Sequence, residues 1–195
     1  MSFFKKFFGN KKKAEKNTEE DEKVKLSLDE AFVFHFISKG GKFLYCTNKK
    51  ELTDHLNKIF LENNWQSITC FDDTLLELVK DTMISTQSGF DMNLPFFTAC
   101  EHLISNNGDI LFSSNQLSTY KISSLTENFI VFAKTSQLVK NTGEGLTGIK
   151  TNSKKNIPTN ISAIKKYTLK NDEDNFLNYG NNNSKNLYLL LLEDL

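Results

Sequence analysis

The stretch FTACEHLISNNGDILFSS, residues 97–114, is the most informative part of this chain for its fold. An apolar approach leads into the polar triplet Asn106-Asn107-Gly108, and an apolar strand leaves the triplet and ends at Ser113. Asn and Gly both tolerate positive φ angles, so the triplet is typical of a tight turn. We therefore predict a turn at a sheet edge, where backbone amides could meet an anion or a carbonyl group.

Capped helices and short apolar strands alternate on the amino-terminal side of this turn. Two capping boxes, beginning at Ser27 and at Asn48, predict amphipathic helices. The apolar pattern predicts strands over 42–46 and 67–71, and the second of these leads into a short helix capped by Asp72-Asp73.

The carboxyl-terminal side continues the alternation with four further apolar runs, which predict strands over 109–113, 128–133, 161–164 and 186–193. The run over 128–133 is continuously apolar, as in a sheet that is covered on both faces. Thr135 or Ser136 is expected to cap one more helix, which would carry Leu138, Val139, Leu146 and Ile149.

This order of elements predicts an α/β fold with a mostly parallel sheet and helices on both faces. Ligands in such sheets bind outside the carboxyl ends of the strands. The polar residues at these ends and in the turn are therefore the candidate ligand-binding set: Asn106, Asn107, Gly108, Ser113, Ser114, Asn115, Lys134, Thr135 and Ser136. A catalytic residue is not identified. Cys100 with His102 could form a thiol–imidazole pair, or both could be structural. Glu101, the acidic residue nearest to the turn, is expected to be solvated or to cap a helix rather than to be catalytic.

Composition narrows the classes of partner and cofactor. The chain has 195 residues, with 24 Lys and Arg against 24 Asp and Glu, so no net charge steers it toward nucleic acid. Cys46, Cys70 and Cys100 are widely spaced and form no C-x-x-C pair, which argues against a cysteine-bound zinc or iron–sulfur site in this chain. We therefore predict no metal and no cofactor here, and a reducing, cytoplasmic location.

The first 25 residues differ from the rest and predict a flexible leader ahead of one domain over 26–195. Lys5 and Lys6 lie opposite a group of phenylalanines on a helical wheel, namely Phe3, Phe4, Phe7 and Phe8. This octet is either a weak membrane-surface or partner-docking helix, or a frayed and solvated leader.

Three segments of the chain resemble the LUD domain family of lactate-utilisation proteins. These are residues 98–104 before the Gly-ended turn, residues 125–133 with Thr126 where proline is usual, and the closing strand over 186–193. The resemblance extends over residues 27–195 in the order of elements. It implies the fold of the ribose-5-phosphate isomerase, glucosamine-phosphate isomerase and CoA-transferase group.

The resemblance also implies a function, that of an accessory or binding subunit in the conversion of L-lactate to pyruvate. Its partner would be an iron–sulfur oxidoreductase, and any cluster would belong to that partner. Asn106 stands where the family usually has an acidic residue, and residues 165–168 replace a Gly-Pro-Ser loop, so we do not expect an enzyme by itself. The alternatives are an independent binder or enzyme for a small anionic ligand, phosphorylated or acyl, and a membrane-surface module.

Overall fold

The structure is a computed structural model, which describes residues 26–80, 82, 84–87, 89–153, 156–168 and 183–194. The predicted leader over residues 1–25 lies outside these ranges. Five α-helices are present among the described residues: α1 (Leu28–Ser38), α2 (Lys49–Asn63), α3 (Asp73–Val79), α4 (Ser114–Leu117) and α5 (Thr142–Asn152). None of the helices in these ranges is long and apolar enough to cross a membrane.

The same ranges contain ten strands: β1 (Lys42–Cys46), β2 (Ser67–Thr69), β3 (Ser85–Gln87), β4 (Phe96–Ala99), β5 (His102–Ile104), β6 (Asp109–Phe112), β7 (Asn128–Lys134), β8 (Leu138–Val139), β9 (Ser162–Ile164) and β10 (Asn186–Leu192). Two short 3-10 helices, Ile122–Ser124 and Thr135–Gln137, lie on either side of β7.

The predicted helix starts at Ser27 and Asn48 are confirmed, but only the first of them has a complete capping box. The Ser27 hydroxyl accepts from the amide of Glu30, and the Glu30 carboxylate accepts from the amide of Ser27, which completes the capping box of α1. The Asn48 side chain accepts from the amide of Glu51 at the start of α2. These side chains satisfy amide groups that have no partner inside the helix.

The main sheet is parallel throughout, and its six strands run in the order β1-β10-β7-β4-β2-β3. This sheet and its covering helices confirm the predicted α/β class. Alternate residues of β10 pack on opposite faces: Leu187, Leu189 and Leu191 belong to one core, and Tyr188 and Leu190 belong to the other. Helices α2 and α3 cover the second core, and α1 covers the first.

A second sheet of four strands, in the order β8-β5-β6-β9, also packs on the first core. Strands β5 and β6 form an antiparallel hairpin, in which Leu103 faces Ile110. The sequence predicted the turn of this hairpin but not the second sheet. Strand β9, which was expected as one more strand of the alternating pattern, pairs with β6 in this sheet.

The predicted helix start at Thr135 or Ser136 is wrong. These residues form a 3-10 turn, Leu138 and Val139 then pair with β5, and α5 begins only at Thr142. The reason is tertiary, because β5 supplies pairing that a local pattern cannot show. Gly145 of α5 is buried, and a Cβ there would lie 2.9 Å from a Leu111 methyl group, so the glycine permits close packing of α5 on this sheet.

Candidate functional site

The candidate site lies where three neighbouring strands of the main sheet end. Strands β4, β7 and β10 are adjacent and parallel, so their carboxyl ends meet at one edge. Glu101 follows β4, the 3-10 turn at Thr135 follows β7, and Asp194 follows β10. This is the edge at which α/β sheets bind their ligands.

Glu101 is the centre of a network of side-chain hydrogen bonds. Its Oε1 atom accepts from Ser113 Oγ at 2.6 Å, from Asn115 Nδ2 at 2.9 Å and from Gln116 Nε2 at 3.1 Å. Ser113 is buried, whereas Asn115 is exposed. The carboxylate therefore joins the buried end of β6 to the surface.

Local capping explains why these donors lie together. Ser113 is the N-cap of α4, and its hydroxyl accepts from the amide of Asn115 at 3.1 Å. Gln116 completes the capping box by accepting from the Ser113 amide at 2.9 Å. A helix as short as α4 gains little from its own backbone bonds, so the cap and Glu101 together hold it in place.

Gln137 connects this network to the end of β7. Its Nε2 atom donates to the carbonyl oxygens of Cys100, at 2.6 Å, and Glu101, at 3.1 Å. Its Oε1 atom accepts from the amide of Lys134 at 2.8 Å. Its own carbonyl oxygen lies 3.3 Å from His102 Nδ1. One glutamine thus ties together the chain segments that follow β4 and β7.

The predicted donors Thr135 and Ser136 are bound to a carboxylate of the same chain. Asp194 Oδ1 accepts from Thr135 Oγ1 and from the Ser136 amide, both at 2.9 Å, and Asp194 Oδ2 accepts from Ser136 Oγ at 2.7 Å. Slight burial opposes ionisation of this carboxyl, but hydrogen bonds from Ser136 and Thr135 outweigh it and lower the pKa of Asp194 below its ordinary value. Asp194 therefore occupies the position in which an external anion would meet these donors.

The turn Asn106-Asn107-Gly108 lies at the other end of the hairpin, and its amides donate to acceptors of the protein. The amide of Asn106 donates to the Lys140 carbonyl oxygen at 3.0 Å, and the amide of Gly108 donates to the Ile104 carbonyl oxygen at 2.7 Å. Gly108 has a φ of +70°, and a Cβ there would lie 2.5 Å from the backbone nitrogen of Phe36. The turn therefore packs closely against the backbone of α1.

Buried polar groups fix this turn from two sides. Asp109 accepts from Lys39 Nζ at 2.7 Å and from Asn107 Nδ2 at 2.9 Å. The Tyr167 hydroxyl donates to the Gly108 carbonyl oxygen at 2.5 Å. Burial raises the pKa of Tyr167 well above its ordinary value, and the nearby Asp109 carboxylate adds to this effect, so the phenol keeps its proton.

The predicted ligand set therefore forms two separate groups. Gly108 and Ser113 lie at opposite ends of β6, and four strand residues at about 3.3 Å each hold them more than roughly 10 Å apart. Ser113, Ser114 and Asn115 share the strand-end edge with Lys134, Thr135 and Ser136. The turn does not join them, and ligand binding at that edge remains a prediction.

Several residues that organise this edge were not in the predicted set. Glu101 is predicted from the sequence to be a solvated or capping residue, but it binds three side-chain donors. Gln116 had a local signal, the S-x-x-Q spacing that begins at Ser113. Gln137 and Asp194 had none, because their partners are brought near only by the pairing of β4, β7 and β10.

The thiol–imidazole interpretation gains no support from the environment of Cys100. Burial raises the pKa of this thiol far above its ordinary value, and the Glu101 carboxylate adds to the effect, so the reactive thiolate is disfavoured. The thiol and the imidazole of His102 both face Gln137. Within the described residues, no group of three or more His, Cys, Asp or Glu side chains is placed to hold a metal ion.

Comparison with known proteins gave two matches. The family model described as the LUD domain matches residues 84–192, which is more than half of the chain. The fold is similar to the crystal structure of a DUF162 family protein from Deinococcus radiodurans, with a TM-score of 0.60 and 13% sequence identity over 87% of this chain and 100% of the other. At that identity the likeness shows the fold alone. Comparison with curated proteins gave no match.

Proposed function

This chain belongs to the LUD domain family, and on that premise we propose that it is an accessory or binding subunit of L-lactate utilisation. It works beside an iron–sulfur oxidoreductase that converts L-lactate to pyruvate. The chain holds or positions the assembly, and the oxidation takes place on the partner.

One observation of the site carries the accessory role. The side-chain donors at the strand ends already bind carboxylates of this chain: Ser113 and Asn115 bind Glu101, and Thr135 and Ser136 bind Asp194. A free anion would meet two negative charges at this edge before it met a donor. The arrangement therefore favours a preformed surface for a partner protein over a site that binds and converts a small anion.

The environment of the cysteines supports placing the redox centre on a partner. Burial raises the pKa of Cys46 to about 12 and that of Cys70 to about 11, with nearby carboxylates adding to both shifts. Iron–sulfur clusters and zinc bind thiolates, which such surroundings disfavour. Cys46, Cys70 and Cys100 also follow or end three different strands, so they do not share a loop.

The proposal is tested by removing the gene from its own cells and measuring growth on L-lactate as the carbon source. We expect growth on L-lactate to fail and growth on pyruvate to be normal, because only the oxidation step is lost. Complementation with the full chain restores growth. Equal growth of the deletion strain on both carbon sources would overturn the proposal.

A binding protein for a phosphorylated or acyl ligand is the second candidate. It is favoured by the donors that Thr135 and Ser136 supply at the strand ends, whereas the Asp194 carboxylate that binds them opposes an external anion. On this alternative, Asp194→Asn removes the competing charge and increases the affinity of the full chain for acetyl phosphate. Calorimetric titration that shows no binding to either protein would exclude acetyl phosphate as the ligand and favour the accessory role.

A further inference from the structure

Helix α1 carries apolar residues on more than its core-facing side. Three of them are buried in the first core, namely Phe32, Val33 and Phe36. The rest of the helix surface carries a ridge of apolar residues spaced three apart, a spacing at which side chains are neighbours on a helix: Leu28, Ala31, Phe34 and Ile37. A helix that is apolar on all sides is typical of one that is covered on all sides. We call these four residues the outer ridge of α1.

The described part of the chain leaves the outer ridge largely in water. The exposed fraction is 57% for Phe34, 46% for Leu28 and 45% for Ile37, and Ala31 is partly buried. The Phe34 ring lies edge-to-face with the imidazole of His35, which is the next residue of the same helix. Exposed apolar side chains that adjoin one another mark a contact surface, whereas scattered ones need no explanation.

The leader of the same chain ends where the outer ridge begins. Residues 1–25 lead into Leu26, which is 43% exposed, and α1 begins two residues later. The segment over 9–25 connects the phenylalanine octet, residues 1–8, to Leu26, and at up to about 3.5 Å per residue it can span roughly 60 Å. Helix α1 has 11 residues and is therefore only about 16 Å long. The octet can thus reach every position of the outer ridge from its own chain.

The octet has the apolar pattern that fits a ridge of this spacing. On a helix, Phe3 and Phe7 form one row of residues four apart, and Phe4 and Phe8 form a second row beside it. The groove between two such rows accepts a ridge of residues three apart on a neighbouring helix, with the two axes about 20° from parallel. The lysines of the octet lie on the opposite side of its helical wheel, so they would stay in water.

We infer that the octet packs as a short helix on the outer ridge of α1 in the same chain. Eight residues are too few to hold a helix in water by themselves, so the contact with α1 supplies the stabilisation. Because the octet is tethered to α1, its effective concentration at the ridge is on the order of millimolar, above that of an untethered partner. This contact is independent of the proposed function, since it uses no residue of the strand-end edge.

The test places a photoreactive aromatic residue in the octet of the full chain. Phe7→p-benzoylphenylalanine keeps an aromatic ring at this position and, on irradiation, links it covalently to the residues that it contacts. Peptide mass spectrometry then locates the bond. We expect a monomeric product with the bond in residues 28–37 of α1. Its yield should not change on dilution, because the contact lies within one chain.

Three further substitutions, each combined with the photoreactive residue, define the contact. Phe34→Ser removes the largest side chain of the outer ridge and should lower the cross-link yield at least about threefold. Ile37→Ser repeats the test at the end of the ridge and should lower the yield about twofold. Leu61→Ser is the matched control, because Leu61 is 78% exposed on α2, which covers the other core, so the yield should be unchanged.

The docked arrangement is overturned by a bond outside α1, by the absence of any cross-link, or by equal yields for Phe34→Ser and Leu61→Ser. A cross-linked dimer would also overturn it and would assign the octet to a second copy of the chain. Absence of a bond to α1, together with sedimentation of the chain with phosphatidylglycerol vesicles, would assign the octet to a membrane surface. Each of these results leaves the growth test of the proposed function unaffected.

Discussion

The two ends of the β5–β6 hairpin use the same kinds of residue for different purposes. At the closed end, Asn107 and Gly108 are fixed by Asp109, Tyr167 and the backbone of α1. At the open end, Glu101 binds three polar side chains, and two of them, Asn115 and Gln116, are reached by solvent. A polar turn in a sequence therefore indicates a sharp change of chain direction. Whether the residues of that turn are accessible to a ligand depends on which elements pack against it.

The largest expected effect comes from a substitution at the closed end of the hairpin. Gly108→Ala should lower the free energy of unfolding by about 3 kcal/mol, because the residue has a positive φ and its new Cβ would meet the backbone of Phe36. Urea unfolding followed by the fluorescence of Trp65, the one tryptophan of the chain, measures this change.

Gly143→Ala is the matched control for that substitution. Gly143 lies in the first turn of α5, its φ is ordinary, and a Cβ there would meet only the side-chain oxygen of Asn141 at 3.2 Å. The free energy of unfolding of the Gly143→Ala variant should differ from that of the natural chain by less than about 1 kcal/mol. Equal losses in the two variants would show that the closed end is not specially constrained.

A smaller effect is expected from Tyr167→Phe, which keeps the ring and removes the hydroxyl. The carbonyl oxygens of Gly108 and Ile164 would then lose a buried donor. The free energy of unfolding should fall by about 1–2 kcal/mol. Hydrogen exchange of the Gly108 amide should accelerate with it, and an unchanged exchange rate would contradict the role given to this hydroxyl.

At the open end, Glu101→Ala should lower the free energy of unfolding by less, about 1 kcal/mol. Most of the side chains that bind Glu101 can form hydrogen bonds to water instead. Its effect on α4 should exceed its effect on global stability, so the NMR signals of residues 114–117 should broaden or shift. If Glu101→Ala destabilises the fold more than Tyr167→Phe does, the conclusion that the closed end is the more constrained of the two is wrong.

The smallest effect concerns Asp194, whose lowered pKa makes its contribution to stability depend on pH. A carboxyl with a folded pKa below its unfolded value stabilises the fold above the unfolded value, and this contribution is lost as pH falls through the folded value. The stability difference between the natural chain and Asp194→Asn should therefore be constant above about pH 5 and disappear in stronger acid. A difference that grows on acidification would contradict the hydrogen bonds described for Asp194.

Local signals in the sequence predict much of the fold. Capping residues such as Ser27 and Asn48 act within one turn of helix, so their spacing is visible in the sequence. The continuous apolar strand over 128–133 likewise predicted a sheet buried on both faces, and β7 lies between β10 and β4. The helix predicted from Thr135 failed because Leu138 pairs with Leu103, a contact between residues far apart in the chain.

The candidate site was less predictable, for the same physical reason. Ser113 and Thr135 could be placed at strand ends from the sequence, but their binding partners Glu101 and Asp194 are specified by the order of strands in the sheet. Asn106 and Gly108 carried the stronger local signal and lie away from that edge. The residues that form a turn are neighbours in the sequence, so the turn can be predicted from it. The residues of a site assembled from several strand ends are far apart in the sequence, so their contacts cannot.

The most direct test of the accessory role is purification of the tagged full chain from its own cells grown on L-lactate, from the soluble and membrane fractions together. Copurified proteins are identified, and iron and acid-labile sulfide are measured against the amount of the chain. The account predicts stoichiometric recovery of iron–sulfur oxidoreductase subunits, with the iron assigned to them. Recovery of the chain alone from both fractions would contradict it.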